Sequence, residues 1–155
     1  MNAVGNQISR RPRRGRGLAV AAVATAALLL TGCLSADQSA DLDLINQART
    51  SARLAKVGQH TAAADKAQAW SVHMARTGVL EHTGGGTKVD TSGLTGWCSL
   101  GENVGKGRSV QAVHDAFMAS PNHKAHILGS YNVVGTGVFK SGTTYWVTEI
   151  FLKTC

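Results

Sequence analysis

No stretch of this chain is apolar for long enough to cross a bilayer as a helix. The main apolar run, Leu18 to Leu30, covers 13 residues, well short of the roughly 20 that a spanning helix needs. The first 32 residues also lack any acid, while Arg10, Arg11, Arg13, Arg14 and Arg16 make a basic head to the run. A basic head, a short apolar middle and a motif of small residues form the layout of an export signal, not of a folded element. The chain shows no internal repeat, and no serine stands in a recognisable nucleophile turn. Cysteine is scarce, at three residues, so few pairings are open.

The run ends in Leu30-Thr31-Gly32-Cys33, which resembles the bacterial lipobox, where a signal peptidase cuts before a lipid-modified cysteine. The resemblance implies a signal over 1–32 and a lipid anchor on Cys33; one diacyl and one acyl chain together exceed the two-signal threshold for stable anchoring. Ser9-Arg10-Arg11 is similar to the twin-arginine export pair, but Pro12 follows it, so both export routes stay open. Removing the leader takes five basic residues with it, leaving 11 Lys and Arg against 9 Asp and Glu. The net charge falls from +7 to near +2, and the electrostatic case for a nucleic-acid partner goes with it. With Cys33 lipidated, Cys98 and Cys155 remain as a pair in an oxidising compartment, where a disulfide is the default. It closes a loop of about 57 residues and contributes roughly 4 kcal/mol in the chain-entropy treatment.

Beyond a tether from Cys33 to Ala40, the residues 41–155 suffice for one domain with one core. Leu42, Ile45, Ala48, Ala52 and Ala55 lie on one helical face, with Asp41 and Asp43 suiting a first turn, which predicts a helix from Asp41 to about Lys56. Thr61 suits the cap of a second helix carrying Ala63, Ala67, Trp70 and Met74 and ending at Gly78. Thr83 to Gly101 is rich in glycine, without periodicity, and reads as a long functional loop. Ser109 opens a third helix with Val110, Val113 and Phe117; Ser120-Pro121 opens a short fourth that stops at Gly129. Val133–Phe139 and Thr143–Leu152, joined by Lys140-Ser141-Gly142, read as a β-hairpin. The second strand has Tyr145, Val147 and Phe151 on one face and Trp146, Ile150 and Leu152 on the other, so both faces are covered. Together these imply an α+β fold in three layers, α-β-α, around a small antiparallel sheet.

The six histidines are not equivalent. His82 follows the second helix, Glu102 stands in Gly101-Glu102-Asn103-Val104, and His123 lies in Ser120-Pro121-Asn122-His123. These segments, together with Leu44-Ile45-Asn46-Gln47-Ala48-Arg49, Val134-Gly135-Thr136-Gly137-Val138 and Tyr145-Trp146, resemble in wording and order the CAP superfamily. That superfamily comprises the SCP-like domains of cysteine-rich secretory proteins, antigen 5 and pathogenesis-related proteins. The resemblance implies an α-β-α sandwich with a cleft that presents two histidines and two acids. His82 and His123 match the histidines and Glu102 the first acid. The place of the second acid holds Ala119 and Ser120. Phe117 replaces the usual Trp and His126 the usual Asn.

His123 would be the third residue of its helix, where the dipole disfavours imidazolium and keeps the ring neutral, as a metal ligand must be. Glu102 is placed to hold the far nitrogen of a histidine and fix its tautomer. His82 and His123 with water would hold a divalent ion such as zinc only weakly, compared with a closed four-ligand site. His123 with His126 is a rival pair. His60, His73 and His114 read as surface or helix-face residues, and Trp70, Trp97 and Trp146 as core or loop anchors, Trp97 also as a cleft-lining candidate. Cys98 and Cys33 are spoken for, and nothing marks Ser99 or Ser120 as activated. The leading reading is a non-enzymatic module, anchored at the membrane through Cys33. Its ligand, by the family resemblance, is a lipid or sterol, a cell-wall fragment or a protein. A metal-dependent hydrolase using Glu102 as base and a purely structural envelope protein are the alternatives.

Overall fold

The structure is a computed structural model that describes Met1 and residues 34–155. The leader, the cleavage motif and Cys33 lie outside the described residues.

Helix α1 spans Ala36–Ser51, five residues earlier than the spacing of apolar residues predicts. Its start is set by a capping box: the Gln38 amide N–H donates to Ser35 Oγ, and the Ser35 N–H donates back to Gln38 Oε1, satisfying two free amides of the first turn. Ala36 to Ala40, expected to belong to the tether, are therefore the start of the helix. Asp41, expected in the first turn, instead lies further inside the helix and is 1% exposed. At the other end the helix stops at Ser51 rather than Lys56, because Arg53 takes a left-handed conformation with φ 61°. Asn46 then holds both the N–H and the carbonyl of Val57.

Strand β1, Gly58–Gln59, leads into α2, Thr61–Thr77. The cap of α2 is His60 and not Thr61: His60 Nδ1 accepts from the Ala63 N–H at 3.2 Å. Gly78 closes the helix in the left-handed region, φ 74°, as predicted. Strand β2 covers Trp97–Gly107. It is followed by α3, Val110–Ala119, with Ser109 as cap, and by α4, Pro121–Ile127, with Pro121 in the first turn. The hairpin of β3, Val133–Ser141, and β4, Thr144–Thr154, completes the chain.

The sheet order is β1-β3-β4-β2. β4 pairs antiparallel with β2 and β3, and the two residues of β1 run parallel to β3. β2 begins inside the Thr83–Gly101 stretch that reads as loop and runs six residues beyond it. Its glycines serve close approach rather than looseness: a Cβ on Gly105 would stand 2.7 Å from the Phe117 ring. On one face α2 lays Ala63 and Ala67 against Ile150 and Leu152, and Met74 against Val104 and Trp146. On the other, Ile45, Val113, Phe117 and Ile127 of α1, α3 and α4 pack on Val134, Val147 and Phe151. The architecture is thus the expected α-β-α sandwich, with β4 covered on both faces. Cys98 and Cys155 are joined by a disulfide, as predicted. Among the described residues no helix is long and apolar enough to cross a membrane.

Candidate functional site

β2 is an edge strand, and neighbouring residues of a strand point to opposite faces. Gly101 and Glu102 nevertheless line the same cleft, of about 520 Å³, so the cleft wraps around the sheet edge. His82 and Glu102 enter it from the α2 side. Ser120, Asn122, His123 and His126 enter it from α4 on the other. The structure therefore brings together His82, Glu102 and His123, and adds His126.

The turn that carries His82 is fixed from both ends. Trp70 Nε1 donates to the Glu81 carbonyl at 2.8 Å, and the His82 N–H donates to the Gly86 carbonyl at 3.1 Å. Glu102, 2% exposed, takes the His82 Nδ1 at 2.8 Å and the Thr83 N–H at 3.0 Å on one oxygen, Oε1. A carboxylate only accepts, so Nδ1 is the donor and the lone pair of a neutral His82 ring sits on Nε2. The other Glu102 oxygen, Oε2, is buried without a partner among the described residues.

His123 packs its ring on Phe117 at 5.0 Å. Its pKa is lowered, first by burial and then by the nearby His82. The neutral ring expected from the helix dipole is thus favoured here chiefly by desolvation. His126 is also held below its ordinary value, by burial first and by His123 next. Its Nδ1 lies 2.8 Å from Asn103 Oδ1.

Asn103 belongs to the site although its residue type gave no signal. Its Nδ2 donates to the His123 carbonyl at 3.1 Å and to Glu149 Oε2 at 2.8 Å. Both partners are acceptors, which fixes the amide orientation and turns Oδ1 toward His126. His126 must then donate from Nδ1. Glu149 in turn meets Asp41 of α1; both are essentially fully buried. Two signals in the sequence pointed there: Glu149 interrupts an apolar strand face, and Asp41 lies on the stripe Gln38, Asp41, Ile45, Arg49 that α1 buries.

The remaining aromatic candidates lie elsewhere. His73 stacks on Trp70 at 4.5 Å. His114, read as a surface or helix-face residue, is 6% exposed and holds an Nδ1 with no partner among the described residues; burial lowers its pKa, with Asp115 acting against it. Trp97 anchors the segment before β2 through Nε1 to the Leu94 carbonyl at 3.2 Å and does not line the cleft. Among the described residues no group of three or more His, Cys, Asp or Glu converges to hold a metal ion.

No curated protein matches the chain in sequence. Three solved structures share its fold. An outer surface protein from Borrelia burgdorferi superposes with a TM-score of 0.66 at 17% identity, over 77% of this chain and 93% of its own. An extracellular protein containing a SCP domain from Bacillus anthracis gives 0.67 at 21%, over 80% and 45%. A cysteine-rich secretory protein from Staphylococcus aureus gives 0.60 at 16%, over 76% and 39%. This chain spans less than half of the last two. The family model described as CAP, the cysteine-rich secretory protein family, matches residues 42–151. An extracytoplasmic location fits that membership and the Cys98–Cys155 disulfide. The chain belongs to the CAP family.

Proposed function

We propose that this protein is a non-enzymatic, lipid-anchored module that binds a polar envelope ligand, a cell-wall fragment in preference to a lipid or sterol, in the cleft between His82 and α4. The observation that carries the reading is the His82 Nδ1–Glu102 Oε1 contact of 2.8 Å inside a cleft of about 520 Å³. It fixes one imidazole with its lone pair free, beside a buried carboxylate oxygen that has no partner among the described residues. Ser120, Asn122, His123 and His126 extend the same polar lining. A sterol ring or acyl chain would desolvate these groups without pairing them, which is costly. Hydroxyls and amides of a glycopeptide pair with them.

His82 and His123 also fit a weak divalent-metal site completed by water. Glu102 holds the first ring as a supporting carboxylate holds a ligating histidine, and the second ring is neutral. Such an ion would supply positive charge for an anionic group of the ligand. Hydrolysis with Glu102 as base has less support, because Oε1 is taken by two donors and Oε2 is buried away from solvent. The anchor rests on the Leu30-Thr31-Gly32-Cys33 motif. A lipid on Cys33 would leave only Leu34 and Ser35 before α1, so the domain would sit close against the membrane.

Calorimetry on the full chain tests the reading, with zinc alone and with soluble muropeptides as probes. Saturable heat with at least one probe, abolished in His82→Ala with the melting temperature held, is the expected result. Native protein that gives no heat with either probe, or His82→Ala that binds as well as native, overturns it.

A further inference from the structure

Among the described residues, two acids are buried together behind Asn103. Asp41 is 1% exposed and Glu149 is fully buried, and the two carboxyl groups lie within hydrogen-bond reach of each other. Among the described residues, both oxygens of Asp41 and Oε1 of Glu149 find no other hydrogen-bond partner, and the outside donor to the pair is Asn103 Nδ2, on Glu149 Oε2 at 2.8 Å. No described cation reaches it. Arg49, on the same stripe of α1, is spent on the carbonyls of Ala55, Ile127, Gly129 and Tyr131. Glu102 of β2 points to the opposite face. Thr136 of β3, beside Glu149 in register, is tied to Gln38. His114 of α3 is held neutral by burial, and His123 and His126 of α4 stand on the far side of Asn103. Two carboxylates in such a place cannot both be ionised.

We propose that Asp41 and Glu149 share one proton and act as a pH-responsive brace, whose charge state is relayed through the Asn103 amide to His126 and the first turn of α4. The relay has no freedom of direction. Glu149 Oε2 accepts from Asn103, and Asn103 Oδ1 accepts from His126 Nδ1. When the pair loses its first proton to solvent, a negative charge appears behind Asn103 and the remaining proton stays between the two carboxyls. The polarised amide then becomes a stronger acceptor at Oδ1, which tightens its hold on the proton at His126 Nδ1 and favours the protonated ring. The second Asn103 N–H, on the His123 carbonyl, carries the same change to the residue opposite His82. Burial pushes the Asp41 carboxyl up to about 7, against the hydrogen bond with Glu149, so the change falls near neutral pH. Burial and the Asp41 charge raise Glu149 well above its ordinary value.

The inference needs no ligand and survives if the cleft binds none. Its test is an NMR titration of the full chain, with ¹³C on the Asp and Glu carboxyls and ¹⁵N on the histidine rings. The expected result is a His126 Nδ1 profile with two inflections, one of them shared with the Asp41 carboxyl and lost in Asp41→Asn/Glu149→Gln. A native His126 that does not follow the Asp41 carboxyl overturns the proposal whether or not the variant folds. So do Asp41 and Glu149 signals that titrate in the ordinary carboxylate range, and an inflection that persists in a folded double variant.

Discussion

Raising the pH from about 4 to about 8 should weaken this fold, and the loss should be traceable to Asp41 and Glu149. In the unfolded chain the Asp41 carboxyl titrates at its ordinary 3.8, whereas in the folded chain burial holds it up to about 7. Between those values the folded state keeps a proton that the unfolded state has released. The contribution is therefore fully present below 3.8 and lost as the pH rises through about 7. For Asp41 the difference corresponds to roughly 4 kcal/mol, a large share of the about 5–15 kcal/mol that holds a typical domain together. Glu149 shifts in the same direction and adds to the loss. In a domain of this size the melting temperature should fall by roughly 15 °C across the window. The exposed Asp90 moves the other way, held down chiefly by its hydrogen bond from Lys66, so absolute stability is a blurred measure. The clean quantity is the difference between native protein and Asp41→Asn/Glu149→Gln, followed by urea unfolding at each pH. Any imperfect amide pairing in the variant is a constant offset and leaves the pH slope untouched. The native protein should lose ground steadily relative to the variant as the pH rises; a flat or rising difference would refute the shared-proton reading.

Gly137→Ala should destabilise by about 3 kcal/mol or more, because the new Cβ lands in the Ala67 backbone of α2, which no rotamer change relieves. Gly58→Ala is its control: the Cβ there meets only Val133 Cγ1 at 4.0 Å, so the urea midpoint should stay within about 0.5 kcal/mol of native. Arg49→Lys exchanges a planar fork bonded to four carbonyls for one ammonium group, at a cost of about 3 kcal/mol. Amide exchange should quicken first in α4 and the segment after it; unchanged exchange there would show that the guanidinium does not hold α4.

The helices and the hairpin were legible because their signals are local. Ala63, Ala67 and Met74 keep the helical period, and Lys140-Ser141-Gly142 is turn chemistry. What escaped had a local signal that pointed the wrong way, or one that becomes readable only when distant elements are stacked. The glycine-rich stretch to Gly101 read as loop and hid the start of β2, whose Gly101 and Gly105 are there because His126 and Phe117 occupy the space a side chain would need. Ser35 with Gln38 is a capping box that a small-residue composition disguised as tether. His82, Glu102 and His123 were found through the wording of whole segments, which encodes the cleft without revealing its geometry. Asn103, Glu149 and Asp41 could not be joined by reading along the chain, since they meet only when β2, β4 and α1 are stacked.

That stacking explains how a helix of seven residues can carry half of a binding site. An isolated helix so short has no stability of its own, and α4 buries only Ile127. Its position is set by polar contacts at both ends: Arg49 takes the carbonyls of Ile127 and Gly129, and Asn103 takes the carbonyl of His123. Both holds lead back to the buried stripe of α1, the first through Arg49 itself and the second through Glu149 to Asp41. The side chains that fix His123 and His126 opposite His82, Arg49 and Asn103, thus share the α1 stripe or a hydrogen bond with Asp41 and Glu149, whose ionisation bears on the stability of the fold. A substitution on this stripe must act on cleft geometry and on stability together, whereas His82→Ala, on the opposite face of the sheet, separates the two.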